Sequence, residues 1–138
     1  VNSALLVKSN EESLATLDGA CVDLFTGRCA FYKAGAPRSY VLRHGRLTRC
    51  ELASMPAGIL RGITFAKRTA VLGAGDTVVL LSDGITDADA VGLEALLCRF
   101  QSQDQQELAD TVLAYAKAHT PADRRDDMSV IVARLLPN

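Results

Sequence analysis

Alternating apolar and polar positions predict a series of strands in the first half of the chain, separated by short turns that contain glycine or proline. Within the first strand the alternation breaks at Gly19, which predicts a bulge. Because the loops between these strands are of normal hairpin length, the first half is expected to form one antiparallel meander. The predicted strands cover residues 14–24, 29–34, 39–43, 46–52 and 63–71.

The centre of the pattern is a short uninterrupted apolar run, residues 78–81, which predicts a strand buried on both faces. This run is followed closely by Asp83 and then by Gly84, a residue without a side chain. Near the end of the chain the order is inverted, because Asp126 stands before another apolar strand, residues 128–135. If the two strands are antiparallel neighbours, Asp83 and Asp126 meet at the same end of the sheet.

Between these two strands the apolar period becomes helical. Ser102 or Asp104 can cap the second helix, with Glu107 placed as in a capping box, and Thr120 precedes a proline that ends it. The loop 54–58 is best interpreted as a connection between sheets, with a flap beside an active site as the alternative. The first helix has its apolar face at Leu93, Leu96, Leu97 and Phe100, and the second at Leu108, Val112, Tyr115 and Ala116.

Strands, a helix pair and a final strand together predict an α+β fold with helices packed on a sheet. The 138 residues suffice for one compact domain. A net charge of −1, four Phe, three Tyr and no Trp argue against a nucleic-acid partner. The four cysteines have no zinc-finger spacing, and no apolar stretch is long enough to span a bilayer. We therefore expect a cytoplasmic segment that makes no direct membrane contact.

Asp83 and Asp126 are the candidate ligands of a divalent cation, because Mg²⁺ and Mn²⁺ prefer oxygen donors. Two bridged metals would activate a water as the nucleophile for phosphoryl hydrolysis, so no covalent protein nucleophile would be needed. The alternative is that each acid is an ordinary turn or cap residue. His44 and His119, the two histidines of the chain, are expected to be structural.

These acids lie in segments that resemble a known family. Residues 80–88 and 126–132 resemble the two C-terminal motifs of bacterial PPM-type metal-dependent Ser/Thr phosphatases. Four further segments are similar to one branch, the phosphatase domain of the stage II sporulation protein E family. These segments are residues 1–9, 12–18, 31–37 and 55–59.

The resemblance implies a two-layer antiparallel β-sandwich flanked by helices, with Mn²⁺ or Mg²⁺ as cofactor. It implies Asp83 and Asp126 as catalytic metal ligands, Asp127 in support of Asp126, and Gly84 closely packed behind the metals. The implied reaction is hydrolysis of phosphoserine by a metal-activated water. The implied substrate is a phosphorylated anti-anti-sigma factor, whose dephosphorylation controls sporulation.

One departure limits this expectation. The family completes its metal centre with an Asp and an Asp-Gly on an earlier strand pair, and this sequence begins at Val1 without that strand pair. We therefore expect residues 1–138 to form an N-terminally truncated phosphatase domain that is weakly active or inactive alone. The parent protein could be membrane-anchored through a separate N-terminal region. The alternative function is a non-catalytic PPM-like module that binds a partner or forms a homodimer.

Overall fold

The computed structural model describes residues 2–3, 14–59, 64–87 and 89–137. The described residues form strands β1–β7 and helices α1–α3, together with one short 3₁₀ turn. Their contacts divide the chain into two units. The first unit consists of Val1–Ala36 and Glu51–Val71, and the second of Pro37–Cys50 and Leu72–Asn138.

The first unit contains a three-stranded antiparallel sheet with the order β1–β2–β5, formed by Leu17–Val22, Arg28–Ala34 and Ala66–Val71. Strands β1 and β2 form the predicted hairpin, in which Gly27 adopts a φ of 70°. The bulge predicted at Gly19 is wrong, because the pairing of β1 with β2 continues through that residue without an inserted position. The start of the predicted strand 63–71 lies partly outside the described residues.

The second unit contains a four-stranded antiparallel sheet with the order β4–β3–β6–β7. Its strands are β3 (Ser39–Arg43), β4 (Arg46–Cys50), β6 (Thr77–Leu81) and β7 (Val130–Arg134). Between β6 and β7 the chain forms α1 (Asp83–Thr86), α2 (Ala90–Arg99), α3 (Gln105–His119) and the 3₁₀ turn Ala122–Arg124.

The single meander predicted for the first half is wrong, because β2 and β3 belong to different sheets. The chain changes sheet at Gly35, whose φ is 62° and whose position would bring an added Cβ within 2.5 Å of Pro56. Only glycine fits such a close approach at positive φ. The loop 54–58 connects the two sheets as predicted, and Ala57 exchanges hydrogen bonds of 3.0 and 2.8 Å with Ala15.

The apolar core of the second unit lies between its sheet and its helices, as the helical pattern predicts. Burying one such side chain contributes about 1.5–3 kcal/mol. None of the helices in the described segments combines the length and the hydropathy that a bilayer crossing demands. The buried members of this core are Tyr40, Val79, Leu81, Ile85, Leu93, Leu97, Leu108, Val112 and Ala116.

Aspartate side chains cap the two longer helices. Asp104 accepts hydrogen bonds from the backbone N–H groups of Gln106 and Glu107 at 2.8 and 3.2 Å, which confirms it as the cap of α3. The backbone N–H of Asp104 donates to Ser102 Oγ at 3.2 Å, so Ser102 fills the role that a capping box gives to Glu107. Asp89 caps α2 by accepting from the N–H of Gly92 at 3.0 Å. These contacts fix both helix starts.

Candidate metal-binding site

The central pair of strands has the arrangement that the sequence predicts. Strands β6 and β7 are antiparallel neighbours, with Leu81 opposite Val130. The residues after β6 therefore lie at the same end of the sheet as the residues before β7. This end brings together Asp83, Gly84 and the Asp126–Asp127 pair.

Ser82 joins these two segments through three hydrogen bonds. Its backbone N–H donates to Ser129 O at 3.0 Å, and its Oγ donates to Asp127 O at 3.0 Å. The same Oγ accepts from the N–H of Ser129 at 2.9 Å. Ser82 thereby extends the pairing of β6 and β7 by one residue and fixes the backbone on which Asp127 stands.

Gly84 brings the two backbones into contact. It is buried, and a Cβ added there would lie 2.7 Å from Asp127 O and 3.3 Å from Asp126 O. Contacts of 2.7 Å are shorter than a Cβ tolerates against a backbone oxygen. Glycine at this position lets the start of α1 lie directly against the Asp126–Asp127 backbone.

The three carboxylates at this end are exposed to solvent. Asp83 Oδ1 accepts a hydrogen bond from the N–H of Gly84 at 2.9 Å, and Asp126 Oδ1 accepts from the N–H of Asp127 at 2.8 Å. No described residue forms an ion pair with Asp83, Asp126 or Asp127. The oxygens retain lone pairs for an external cation.

Two other acids of the second unit, Asp76 and Glu94, are paired with arginine. Asp76 accepts from Arg43 Nε and from the N–H of Gly73, and Glu94 accepts from Arg49 Nε at 2.7 Å. Burial raises the pKa of Asp76, but these hydrogen bonds and the positive charge of Arg43 outweigh it and hold that pKa below its ordinary value. The hydrogen bond from Arg49 likewise lowers the pKa of Glu94.

The remaining polar candidates have structural contacts. His119 Nδ1 lies 2.8 Å from Tyr115 O, and its ring stacks on the Tyr115 ring at 3.9 Å, so it belongs to the end of α3. His44 lies in the β3–β4 turn with a φ of 48°, at the opposite end of the sheet from Asp83. Arg125 donates to the carbonyls of Lys117 and Thr120, at 2.7 and 3.2 Å, and so caps α3 before the chain reaches Asp126.

The described residues contain no group of three or more Asp, Glu, His or Cys side chains arranged to hold a metal ion. Asp83 and the Asp126–Asp127 pair therefore do not form such a group by themselves within the described segments. Sequence reasoning missed Ser82, because a serine before Asp-Gly carries no pattern that distinguishes a bridging hydroxyl from an ordinary turn residue.

The comparisons with known proteins show the family to which the chain belongs. The chain matches the family model "Stage II sporulation protein E (SpoIIE)" over residues 1–136. It is 26% identical to stage II sporulation protein E of Bacillus subtilis (strain 168) over 141 aligned residues, which cover 98% of this chain and 17% of that protein.

Two solved structures from Bacillus subtilis also match. The Mn-presoaked phosphatase domain of SpoIIE has a TM-score of 0.78 at 27% identity, covering 99% of this chain and 63% of that one. The structure of the PP2C phosphatase domain with a fragment of the regulatory domain has a TM-score of 0.84 at 27% identity, covering 96% of this chain and 42% of that one.

The fold is thus that of a PP2C-type phosphatase domain, which confirms the predicted PPM-like α+β class. Within that class, the chain belongs to the stage II sporulation protein E family. It spans about a sixth of the length of the Bacillus subtilis protein and less than two thirds of either solved chain.

Proposed function

We propose that this chain is part of a metal-dependent protein serine phosphatase, in which Asp83 and Asp126 are metal ligands and Asp127 supports Asp126. The reaction is hydrolysis of a phosphoserine ester. The substrate that the family assignment favours is a phosphorylated anti-anti-sigma-type protein. Family membership and the PP2C-type neighbours support the phosphatase class.

The observation that carries the proposal is the contact between Gly84 and the Asp126–Asp127 backbone. It places two Asp-containing segments, separated by more than forty residues of sequence, side by side at one end of a sheet. An ordinary turn aspartate needs no such partner segment. The contact therefore favours a shared function for the two segments over two independent turns.

The residues fit Mn²⁺ or Mg²⁺ by their chemistry. Carboxylate oxygens are the hard donors that both ions prefer, and the exposed side chains have no competing cation among the described residues. A bound metal would supply Lewis-acid activation of water and neutralise charge on the phosphoryl group. Asp83 and Asp126 would hold the ion, while Ser82 and Gly84 keep their two segments in fixed register.

A complete site needs more ligands than the described residues supply. We propose that the remaining carboxylates come from a part of the phosphatase domain outside this chain, which would leave residues 1–138 weakly active or inactive alone. The same shortage favours the second candidate function, a non-catalytic module that binds a partner or forms a homodimer.

The decisive experiment is a phosphoserine hydrolysis assay with Mn²⁺ on the parent polypeptide that contains this chain. We expect metal-dependent turnover that Asp83→Asn and Asp126→Asn each abolish. Asp110→Asn is the matched control, because Asp110 is an exposed aspartate on α3 that accepts only from Gln106 Nε2 of its own helix. Absence of turnover in the unmodified parent would favour the non-catalytic module.

A further inference from the structure

A cavity of about 330 Å³ lies in the second unit, at the end of β6 opposite Asp83. It is bounded by the β3–β4 turn, the start of β6, the end of β7 and the chain that follows α2. Leu97 and Phe100 form part of an apolar base, and the other lining groups are largely polar. The length of β6, five residues, separates this cavity from the candidate metal site by about 17 Å.

Arg134 supplies a positive charge to this cavity. It is the last residue of β7, opposite Thr77, and its Nη2 would lie 3.7 Å from a Cβ added at Gly75. Among the described residues, no acceptor or carboxylate pairs with this guanidinium. The His44 imidazole also lines the cavity and has a ring N–H donor in either protonation state.

No Asp or Glu of the described residues lines the cavity. Two carboxylates adjoin lining residues in sequence. Asp76 is 2% exposed, is bound by Arg43 and by the N–H of Gly73, and also feels the charge of His44. Asp104, which follows Gln103, is exposed and accepts from the N–H groups at the start of α3. Neither forms an ion pair with Arg134. The lining residues thus supply donors and the unpaired positive charge of Arg134 without an acidic side chain among them, which is the chemistry of an anion site.

We propose that this cavity binds a small molecule that carries a phosphate or carboxylate group, with Arg134 as its ion-pair partner and His44 as a second donor. A guanidinium offers two parallel N–H donors to either oxyanion. Gln101 and Gln103 add amide donors at the wall. The volume lies at the lower end of the range for small-molecule pockets, which favours a metabolite over a peptide. The proposal is independent of the phosphatase assignment.

The test is a ¹H–¹⁵N NMR titration of the chain with inorganic phosphate and, in a separate arm, with citrate, both in buffer freed of divalent metal on a chelating resin and containing no other phosphate or carboxylate. Saturable shifts of the Gly45 and Gly75 amides and of Arg134 Nε–H are the expected result. The arm with the lower dissociation constant identifies the preferred oxyanion. Absence of saturable shifts at these three groups in both arms would overturn the proposal, as would shifts confined to Gly84 and Ser129.

Variants separate a bound anion from a general salt effect. Arg134→Gln should weaken binding about tenfold or more, the effect of losing a charge-assisted hydrogen bond. Arg28→Gln is the matched control, because Arg28 is an exposed strand arginine in the other unit. The affinity of the Arg28→Gln variant for the anion should equal that of the unchanged chain.

His44→Asn gives a second reading if Arg134→Gln fails to fold. Asparagine tolerates the positive φ of this turn but removes the imidazole, so we expect a several-fold loss of affinity with the fold retained. Unchanged affinity in both Arg134→Gln and His44→Asn would contradict the proposal.

Discussion

The two ends of β6 each carry an aspartate, and the two carboxylates have opposite surroundings. Asp76, before the strand, has a side chain that is 3% exposed and is bound by Arg43 and the Gly73 N–H. Asp83, after the strand, is exposed and has no ion-pair partner among the described residues. Asp76 is thus buried against a half-exposed arginine, whereas Asp83 lies open to solvent at the edge of the sheet.

The backbone at both ends is held to β7 in a similar way. Gly75 N–H donates to Leu135 O and Leu135 N–H donates to Asp76 O, at 2.7 and 2.9 Å, at the first end. Ser82 makes the corresponding bonds with Ser129 at the second end. The difference between the two aspartates therefore arises from their side-chain partners and not from looser backbone at one end.

The largest expected effect on stability comes from Asp76→Asn. Removing this charge ends the ion pair with Arg43 and weakens the loop bond to Gly73, at a cost of about 2–3 kcal/mol, a value kept modest because Arg43 is itself half exposed. Asp83→Asn should change the free energy of unfolding by less than about 0.5 kcal/mol. Urea denaturation of both variants measures the two free energies of unfolding. Equal losses of stability in the two variants would contradict the contrast drawn between Asp76 and Asp83.

Gly84→Ala is the next most severe change. The added methyl would meet the backbone oxygen of Asp127 at 2.7 Å, which cannot move without disturbing the Ser82 bonds, so we expect a loss of about 2 kcal/mol. Gly19→Ala is the matched control, because nothing lies within 4 Å of its added Cβ, and it should change stability by less than about 0.5 kcal/mol. A harmless Gly84→Ala would show that the contact at Asp127 is not tight.

Ser82→Ala removes the hydroxyl that bonds to both Asp127 O and Ser129 N–H. We expect a loss of about 1 kcal/mol in thermal denaturation and faster hydrogen exchange at the Ser129 amide. Ser82→Thr keeps a hydroxyl on an extended backbone and should retain most of the protection. Unchanged exchange in Ser82→Ala would mean that the hydroxyl does not hold the segment that carries Asp127.

The smallest effect is the pH dependence of stability that arises from Asp76. The lowered pKa of Asp76 means that its contribution is complete above the unfolded pKa of about 3.9 and is lost as the pH falls through the lower folded value. The stability difference between the unchanged chain and Asp76→Asn should therefore shrink on acidification below about pH 4. Urea denaturation at a series of pH values checks this, and a difference that grows on acidification would contradict it.

Much of this arrangement is predictable from sequence. The apolar runs at 78–81 and after Asp126 predict two strands, and the structure supplies the antiparallel pairing on which the expected meeting of Asp83 and Asp126 depends. Asp104 is confirmed as a helix cap because local spacing determines that contact.

Other features depend on contacts between distant residues and could not be predicted. The change of sheet at Gly35 depends on its close approach to Pro56. The pairing of Asp76 at the start of β6 depends on Arg43, which lies thirty-three positions earlier in the sequence. Neither pair has a sequence spacing that identifies it. For this reason hairpin loops of normal length suggested one meander where the chain forms two sheets.

The central claim is that the Asp83 end of β6 binds a divalent metal and the Asp76 end does not. The most direct measurement is paramagnetic broadening of backbone amide signals by Mn²⁺, which detects weak binding as well as strong. The account predicts broadening centred on Gly84 and Ser129, retained in Asp76→Asn and lost in Asp83→Asn. Equal broadening at Gly84 in Asp83→Asn, or broadening centred on Gly75, would contradict it.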